Sequence, residues 1–291
     1  MVRVVSLVPS ATEIIAALGL ADQLVGRSHE CNYPPEVEAA PVVSASRIDT
    51  AQLSSAEIER AVRDALADGR PLYAVDADLL EQLAPDLIVT QDLCEVCAVS
   101  SDEVRRVSHI DVETLSLDPR DLREIEESIR TLSRHLHVAA KGEQVAQAMH
   151  HRIDFVHQLV RGLPRLRVFV AEWLDPPFAA GHWVPEMVDL AGGDEVLGRP
   201  RERSFATTWQ EVAEAAPQLV VLAPCGFDLE RTVGEAHSVP SIGARVVAVD
   251  GDAAYSRPGP RVAEGVAQLA HLLHPDEVEA PALPFRELRR N

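Results

Sequence analysis

The sequence predicts an α/β protein of two Rossmann-like lobes, each with a mainly parallel sheet, joined by one long backbone α-helix. Three observations predict it. Short β-rich runs alternate with helical patterns in both halves of the chain, as expected of parallel strands linked by covering helices. One proline-free stretch of helical periodicity separates the halves. Short segments of the first half recur, in the same order, in the second.

The β-rich runs are residues 3–8, 23–27, 73–75, 86–90 and 111–115, then 167–172, 218–223 and 245–249. Ser10-Ala11-Thr12-Glu13 and Ser54-Ser55-Ala56-Glu57 have capping-box spacing, in which Ser and Glu side chains satisfy the first backbone N–H groups, and they predict two helix starts. Between Pro119 and Gly162 apolar residues fall at Leu122, Ile125, Ile129, Leu132 and Leu136, then Val145, Met149, Ile153, Val156 and Val160. Intervals of three and four make a helical stripe. As a single helix it would extend on the order of 60 Å; a break near Gly142 is the alternative, since glycine costs a helix about 1 kcal/mol. The expected organisation is an N-terminal lobe of residues 1–118, a backbone helix of 119–162 and a C-terminal lobe of 163–291. Glu13-Ile14-Ile15-Ala16-Ala17-Leu18-Gly19 is echoed by Glu186-Met187-Val188-Asp189-Leu190-Ala191-Gly192, and Ala84-Pro85-Asp86-Leu87-Ile88-Val89 by Ala216-Pro217-Gln218-Leu219-Val220-Val221.

Composition excludes several functions. The 291 residues, 46% hydrophobic and 25% charged, suffice for two domains with their own cores. A formal charge of −19 argues against nucleic acid, whose phosphates require clustered Lys and Arg. No apolar run approaches the roughly 20 residues that span a bilayer, so the protein is not expected to be membrane-embedded. The N-terminus enters a strand-like run at once, without a basic segment, apolar stretch and cleavage site; a cytoplasmic protein is expected, or a periplasmic or extracellular one if a leader was removed. No Gly-x-Ser-x-Gly, phosphate loop, dinucleotide fingerprint or His-Glu-x-x-His occurs, which favours a binding protein over the common enzyme classes.

In open parallel sheets, ligands bind outside the carboxyl ends of the strands. That rule selects the loops carrying Ser10, His29 to Pro35, Gln91 to Cys97, Trp173 to Trp183 and Pro224 to Phe227. All four cysteines, Cys31, Cys94, Cys97 and Cys225, lie there. They are expected to form a shared Cys₄ zinc or iron–sulfur site, with disulfides or unrelated thiols as the alternatives; Cys94-Glu95-Val96-Cys97 lets two thiolates reach one metal or neighbouring irons. Aromatic residues are scarce, yet Tyr33, Trp173, Phe178, Trp183, Phe205, Trp209, Phe227 and Tyr255 fall on or near the same loops, which suits stacking on a large flat ligand. Arg257 could face an anionic group. His29 and His182 could be metal ligands.

Val4-Val5-Ser6-Leu7-Val8-Pro9-Ser10-Ala11-Thr12-Glu13, Asn32-Tyr33-Pro34-Pro35, Ala84-Pro85-Asp86-Leu87-Ile88-Val89, Pro176-Pro177-Phe178 with Gly181, and Leu190-Ala191-Gly192-Gly193 together resemble the helical-backbone (class III) substrate-binding proteins of ABC importers, in particular the vitamin B12-binding branch. The resemblance spans nearly the whole chain. It implies two lobes joined by a helix, with a corrinoid such as cobalamin or another metal-containing ligand held in the cleft by aromatic residues from both. Tyr33 and Phe178 match two such positions, Phe205 and Trp183 more loosely; where a tryptophan is expected before the first-lobe helix the chain reads Ser44-Ala45-Ser46-Arg47. The resemblance also implies an acidic residue on each lobe for docking to the ABC permease. The matching positions are Asp78 and Gln210, with Glu211 as a neighbouring carboxylate, so permease docking is weakened. A cytoplasmic iron–sulfur or metal-centre protein on a repurposed substrate-binding fold, serving redox, sensing or catalysis, is the alternative expectation.

Overall fold

A computed structural model describes residues 1–93, 99–107 and 111–288, apart from the side chain of Val107. In chain order the elements begin β1 (Val4–Ser6), α1 (Pro9–Ala17), β2 (Leu24–Arg27), β3 (Ser44–Ser46), α2 (Ser55–Ala67), β4 (Tyr73–Val75), α3 (Ala77–Leu83), β5 (Leu87–Thr90), α4 (Ser101–Val107) and β6 (Glu113–Ser116). Two helices follow, α5 (Leu122–His135) and α6 (Ala139–Val160). The remainder is β7 (Leu166–Leu174), β8 (Pro177–Ala179), α7 (Val184–Leu190), β9 (Gly193–Glu195), β10 (Phe205–Ala206), α8 (Trp209–Glu214), β11 (Leu219–Leu222), α9 (Leu229–Glu235), β12 (Arg245–Val249), α10 (Gly251–Ala254), α11 (Val262–Leu273) and β13 (Phe285–Leu288). No described helix is long and apolar enough to cross a membrane.

The chain divides into two compact units. One comprises Met1–Leu53, Glu57–Pro119 and Glu127–Ala146; the other comprises Ser54–Ala56, Arg120–Glu126 and the chain from Gln147 onward. In the first, four parallel strands run in the order β2-β1-β5-β6. Strands β1 and β5 are buried on both faces, hence their unbroken apolar text. Val5, Leu7, Leu80, Ile88 and Val104 form a core on this sheet. Strand β4 pairs antiparallel with β3 in a separate two-stranded sheet instead of joining the parallel one. In the second unit β9, β7, β11 and β12 are mutually parallel; β8 pairs antiparallel with β7, β10 antiparallel with β8, and β13 antiparallel with β12. The fold is therefore the α/β arrangement of two mainly parallel lobes that strand–helix alternation predicts.

The proline-free stretch is two helices rather than one, and the break is not at Gly142. His137 adopts φ 59°, and two hydrogen bonds close the end of α5: His137 N–H donates to Arg134 O at 3.1 Å and Val138 N–H to Ser133 O at 2.9 Å. This is a Schellman end with histidine in the left-handed position usually given to glycine. Gly142 instead serves packing. A Cβ there would lie 1.9 Å from Ser133 Oγ, so its absence lets α6 approach α5. Each of the two helices contributes residues to both units.

Helix α1 also starts differently from its text. The N-cap is Val8, without a side-chain cap, and Pro9 opens the helix because it has no backbone N–H to leave unsatisfied there. Leu7 N–H still donates to Val89 O at 2.8 Å, so strand pairing runs to the brink of the helix and leaves Ser10 inside the first turn. A capping box that the sequence reading did not single out forms at α8: Glu211 N–H donates to Thr208 Oγ1 at 3.1 Å, and Thr208 N–H to Glu211 Oε2 at 2.9 Å. The same carboxylate accepts from Thr207 Oγ1 at 2.7 Å, and these donors hold it below the usual carboxylate range. Glu211 thus caps its own helix as an exposed, ionised carboxylate beside Gln210, whose amide donates to Glu214 at 2.9 Å. Asp78 lies in the first turn of α3.

Candidate functional site

In the first unit the loops after β1 and β2 hold the selected residues. Ser10 is buried in α1 and presents no surface. Tyr33, preceding a cis peptide bond to Pro34, is 42% exposed. Cys31 is 0% exposed. Its sulfur lies 3.0 Å from Thr12 Oγ1, which is itself 2.8 Å from Ser6 Oγ, and the thiol points at Ser6 O at 3.8 Å. It is a packed interior thiol between β1 and α1, a common place for cysteine. That corrects the expectation of a metal ligand here, because reaching a metal would take Cys31 out of the core. Cys94 and Cys97 lie outside the described residues. Cys225 is half-buried in the second unit, its N–H donating to Glu172 O at 3.1 Å. Among the described residues no three His, Cys, Asp or Glu side chains are grouped to hold a metal ion, so the zinc or iron–sulfur reading gains no support.

Burial of Cys31 has a direct readout. With the other three cysteines changed to serine, Cys31 is expected to resist an aqueous thiol reagent in the folded protein and to react stoichiometrically in urea. Cys225 as the sole cysteine is expected to react without urea. Rapid native labelling of Cys31 would show that its loop, not the core, owns the thiol.

In the second unit the aromatic residues separate by sheet face. Trp173 on β7 and Phe178 on β8 are directly opposed cross-strand partners, and such partners share a face. Both are half-buried. Trp173 also packs on Phe227, ring centroids 5.1 Å apart, and its indole N–H donates to Ser55 O at 3.1 Å. Phe205 is opposed to Ala179, hence on the other face, where it joins Phe169, Leu174 and Val212 beneath the Arg199 guanidinium, 4.3 Å from its ring centroid. Alternation along β8 thus divides Phe178 from Phe205.

Three more selected residues are interior. Trp183 is buried and donates its indole N–H to Tyr255 O at 2.9 Å. Tyr255 is buried with its hydroxyl donating to Gln268 Oε1 at 2.8 Å, and burial raises its pKa far above the ordinary phenol value. Arg257 is 4% exposed and forks onto Asp252: Nε donates to Oδ1 at 3.1 Å and Nη2 to Oδ2. These corrections share one cause, since each side chain is buried with a polar atom on a partner in the same unit.

His182 follows β8 at φ 50°, held by its N–H to Glu202 O at 2.7 Å and by Arg201 N–H to its own carbonyl at 2.8 Å. Its ring stacks on Trp183, and burial, then the charges of Arg203 and Arg120, push its pKa down. The imidazole is neutral, with Nε2 buried and lacking a hydrogen-bond partner. Just before it, Gly181 N–H donates to Glu172 Oε1 at 3.2 Å. The adjoining loop begins at Glu195, whose carboxylate accepts from Val170, Leu197 and Gly198 N–H at 3.1, 3.3 and 3.1 Å. Burial nonetheless pushes its pKa up to about 7, against the pull of those donors.

Two parallel-sheet units with aromatic and histidine side chains on their carboxyl-end loops define a ligand-binding protein of the substrate-binding class. The chain belongs to the periplasmic binding protein family, whose model matches residues 4–237. The vitamin B12-binding protein of Vibrio cholerae serotype O1 is 23% identical over 280 residues, covering 93% of this chain and 88% of that protein. A periplasmic heme-binding protein from Pseudomonas aeruginosa superimposes with a TM-score of 0.72 at 19% identity, over 99% of both chains. The periplasmic vitamin B12-binding protein structure from Vibrio cholerae gives 0.63 at 21%, over 92% of this chain and 94% of that one.

Proposed function

We propose that this chain is a non-catalytic binding protein for a metal-bearing tetrapyrrole, either a corrinoid or a heme. The observation that carries the reading is the half-buried pair of Trp173 and Phe178, set side by side on one face at the sheet margin. Two aromatic side chains on one face supply apolar surface for a large ligand, and aromatic stacking adds about 0.5–1.5 kcal/mol per contact beyond area burial. The vitamin B12- and heme-binding relatives support the same ligand class. Delivery to a membrane permease is the least favoured part, because Gln210 carries no charge where the resemblance implies a docking carboxylate.

Titration with hemin and with hydroxocobalamin, followed by absorbance and tryptophan quenching, tests the reading. One of the two is expected to bind stoichiometrically. Trp173→Ala and Phe178→Ala are each expected to weaken it about tenfold, as about 1.4 kcal/mol requires, whereas Trp173→Phe keeps a ring and stays near wild type. Failure of both ligands to bind, or affinity indifferent to both alanine variants, would overturn the reading.

A further inference from the structure

Helix α9 reaches Trp173 by two routes. The first is a chain of hydrogen bonds. Trp173 donates its indole N–H to Ser55 O at 3.1 Å, and Ser55, buried at the start of α2, donates its backbone N–H at 3.2 Å and its hydroxyl at 3.1 Å to Glu235 Oε2. The first N–H groups of a helix have no partner within it, and a carboxylate is a favoured acceptor there. Here the acceptor comes from 180 positions away in the chain. The second route runs through Phe227, whose ring packs on Trp173 with centroids 5.1 Å apart and lies 4.0 Å from the Arg231 guanidinium. Arg231 and Glu235 are four residues apart on α9 and share one face of it. Residues 54–56 group with the second unit, so the whole arrangement lies within that unit.

These contacts restrict the Trp173 ring. An indole tethered through its N–H and packed on a neighbouring ring cannot turn about its side-chain torsions without breaking a contact. Its single donor is committed to Ser55, so toward a ligand it offers carbon surface and stacking. A ring ordered before the ligand arrives spares the entropy that binding would otherwise remove. Phe178, the cross-strand neighbour of Trp173, then meets a partner of defined orientation.

We propose that Glu235 is a positioning residue for the ligand surface, acting through Ser55 to fix the Trp173 ring. The inference rests on the tetrapyrrole reading for the role of Trp173 as a ligand contact, and it assigns Glu235 no ligand contact of its own.

The readout is the Trp173 indole N–H, identified in proton–nitrogen correlation spectra of the full chain by its absence from Trp173→Phe. Without ligand, Glu235→Ala is expected to speed its hydrogen exchange about tenfold, the scale of one hydrogen bond. The Trp209 indole N–H, which donates to Leu174 O at 3.2 Å, is expected to keep its rate. Glu235→Gln retains an acceptor oxygen for Ser55 and is expected to restore slow exchange. Affinity for whichever of hemin and hydroxocobalamin binds is expected to weaken about threefold in Glu235→Ala, the low end for ordering one side chain on binding. Made in Trp173→Phe, which has no N–H for Ser55 to hold, the same substitution is expected to add no further loss. Glu235→Leu takes its place if Glu235→Ala does not fold. Trp173 exchange indifferent to the substitution, equal acceleration at Trp209, or an affinity loss undiminished in Trp173→Phe overturns the assignment and leaves the tetrapyrrole reading standing. If neither ligand binds, the tetrapyrrole reading falls, while the exchange rates still decide whether Glu235 fixes the ring.

Discussion

Asp252→Ala is expected to lower the unfolding free energy by about 3 kcal/mol, the low end for removing one partner of a buried ion pair. Arg257 is buried, so the variant leaves a guanidinium in the interior without the carboxylate onto which it forks. The low end applies because Asp252 keeps 28% of its side chain exposed and part of the interaction is screened. Arg257→Met, which removes the buried charge and strands only a carboxylate that water can reach, is expected to cost less. Urea denaturation at neutral pH measures both. If Arg257→Met is the more damaging, the arginine acts through contacts other than Asp252 and the electrostatic account is wrong.

Gly181→Ala is expected to be nearly as severe, about 2–3 kcal/mol, because overpacking against rigid neighbours costs that much. The new Cβ would lie 2.4 Å from Ser204 N, 2.5 Å from Glu202 O and 2.7 Å from the Arg203 carbonyl carbon. All three are backbone atoms, so no rotamer change relieves the clash, and the loop of residues 199–204 must move. That loop holds His182 through Glu202 O and Arg201 N–H. The variant is therefore expected to lose stability and to let solvent reach the His182 ring, read as a rise in its titration midpoint toward the ordinary histidine value by NMR. A stable variant with an unaltered His182 titration would show that the loop yields without cost.

Legibility in the sequence followed the range of the interaction. The alternation of β-rich and helical text depends on neighbours within a few residues, and it predicted the two mainly parallel lobes. Local text was less reliable wherever two local rules competed. Ser10-Ala11-Thr12-Glu13 has the capping spacing, but Pro9 starts the helix first. The box at Thr208 and Glu211 was available in Thr208-Trp209-Gln210-Glu211 by the same rule. Gly142 was the natural break in the helical stretch by propensity, whereas the chain breaks at His137 because Gly142 is needed where α6 approaches Ser133.

For the candidate site the boundary was sharper. Residue type and the carboxyl-end rule drew attention to His29, Trp173 and Phe178, and to Tyr255, Arg257, Phe205 and Cys31 equally. Nothing in their text separates the two groups, because all are aromatic, cationic or thiol residues on loops or strand ends. What separates them is how deeply each side chain is buried and which face a strand presents. Tyr255 finds Gln268, Arg257 finds Asp252, and pairing with Ala179 sets half-buried Phe205 against the core. By itself the sequence determined the α/β class, the division into two lobes and the loops worth inspecting, since periodicity and composition are carried by neighbouring residues. The burial of Cys31, the separation of Phe178 from Phe205 and the pairing of Arg257 with Asp252 were decided only by tertiary structure. Each depends on strand pairing or packing between residues distant in the chain, and linear text carries no register.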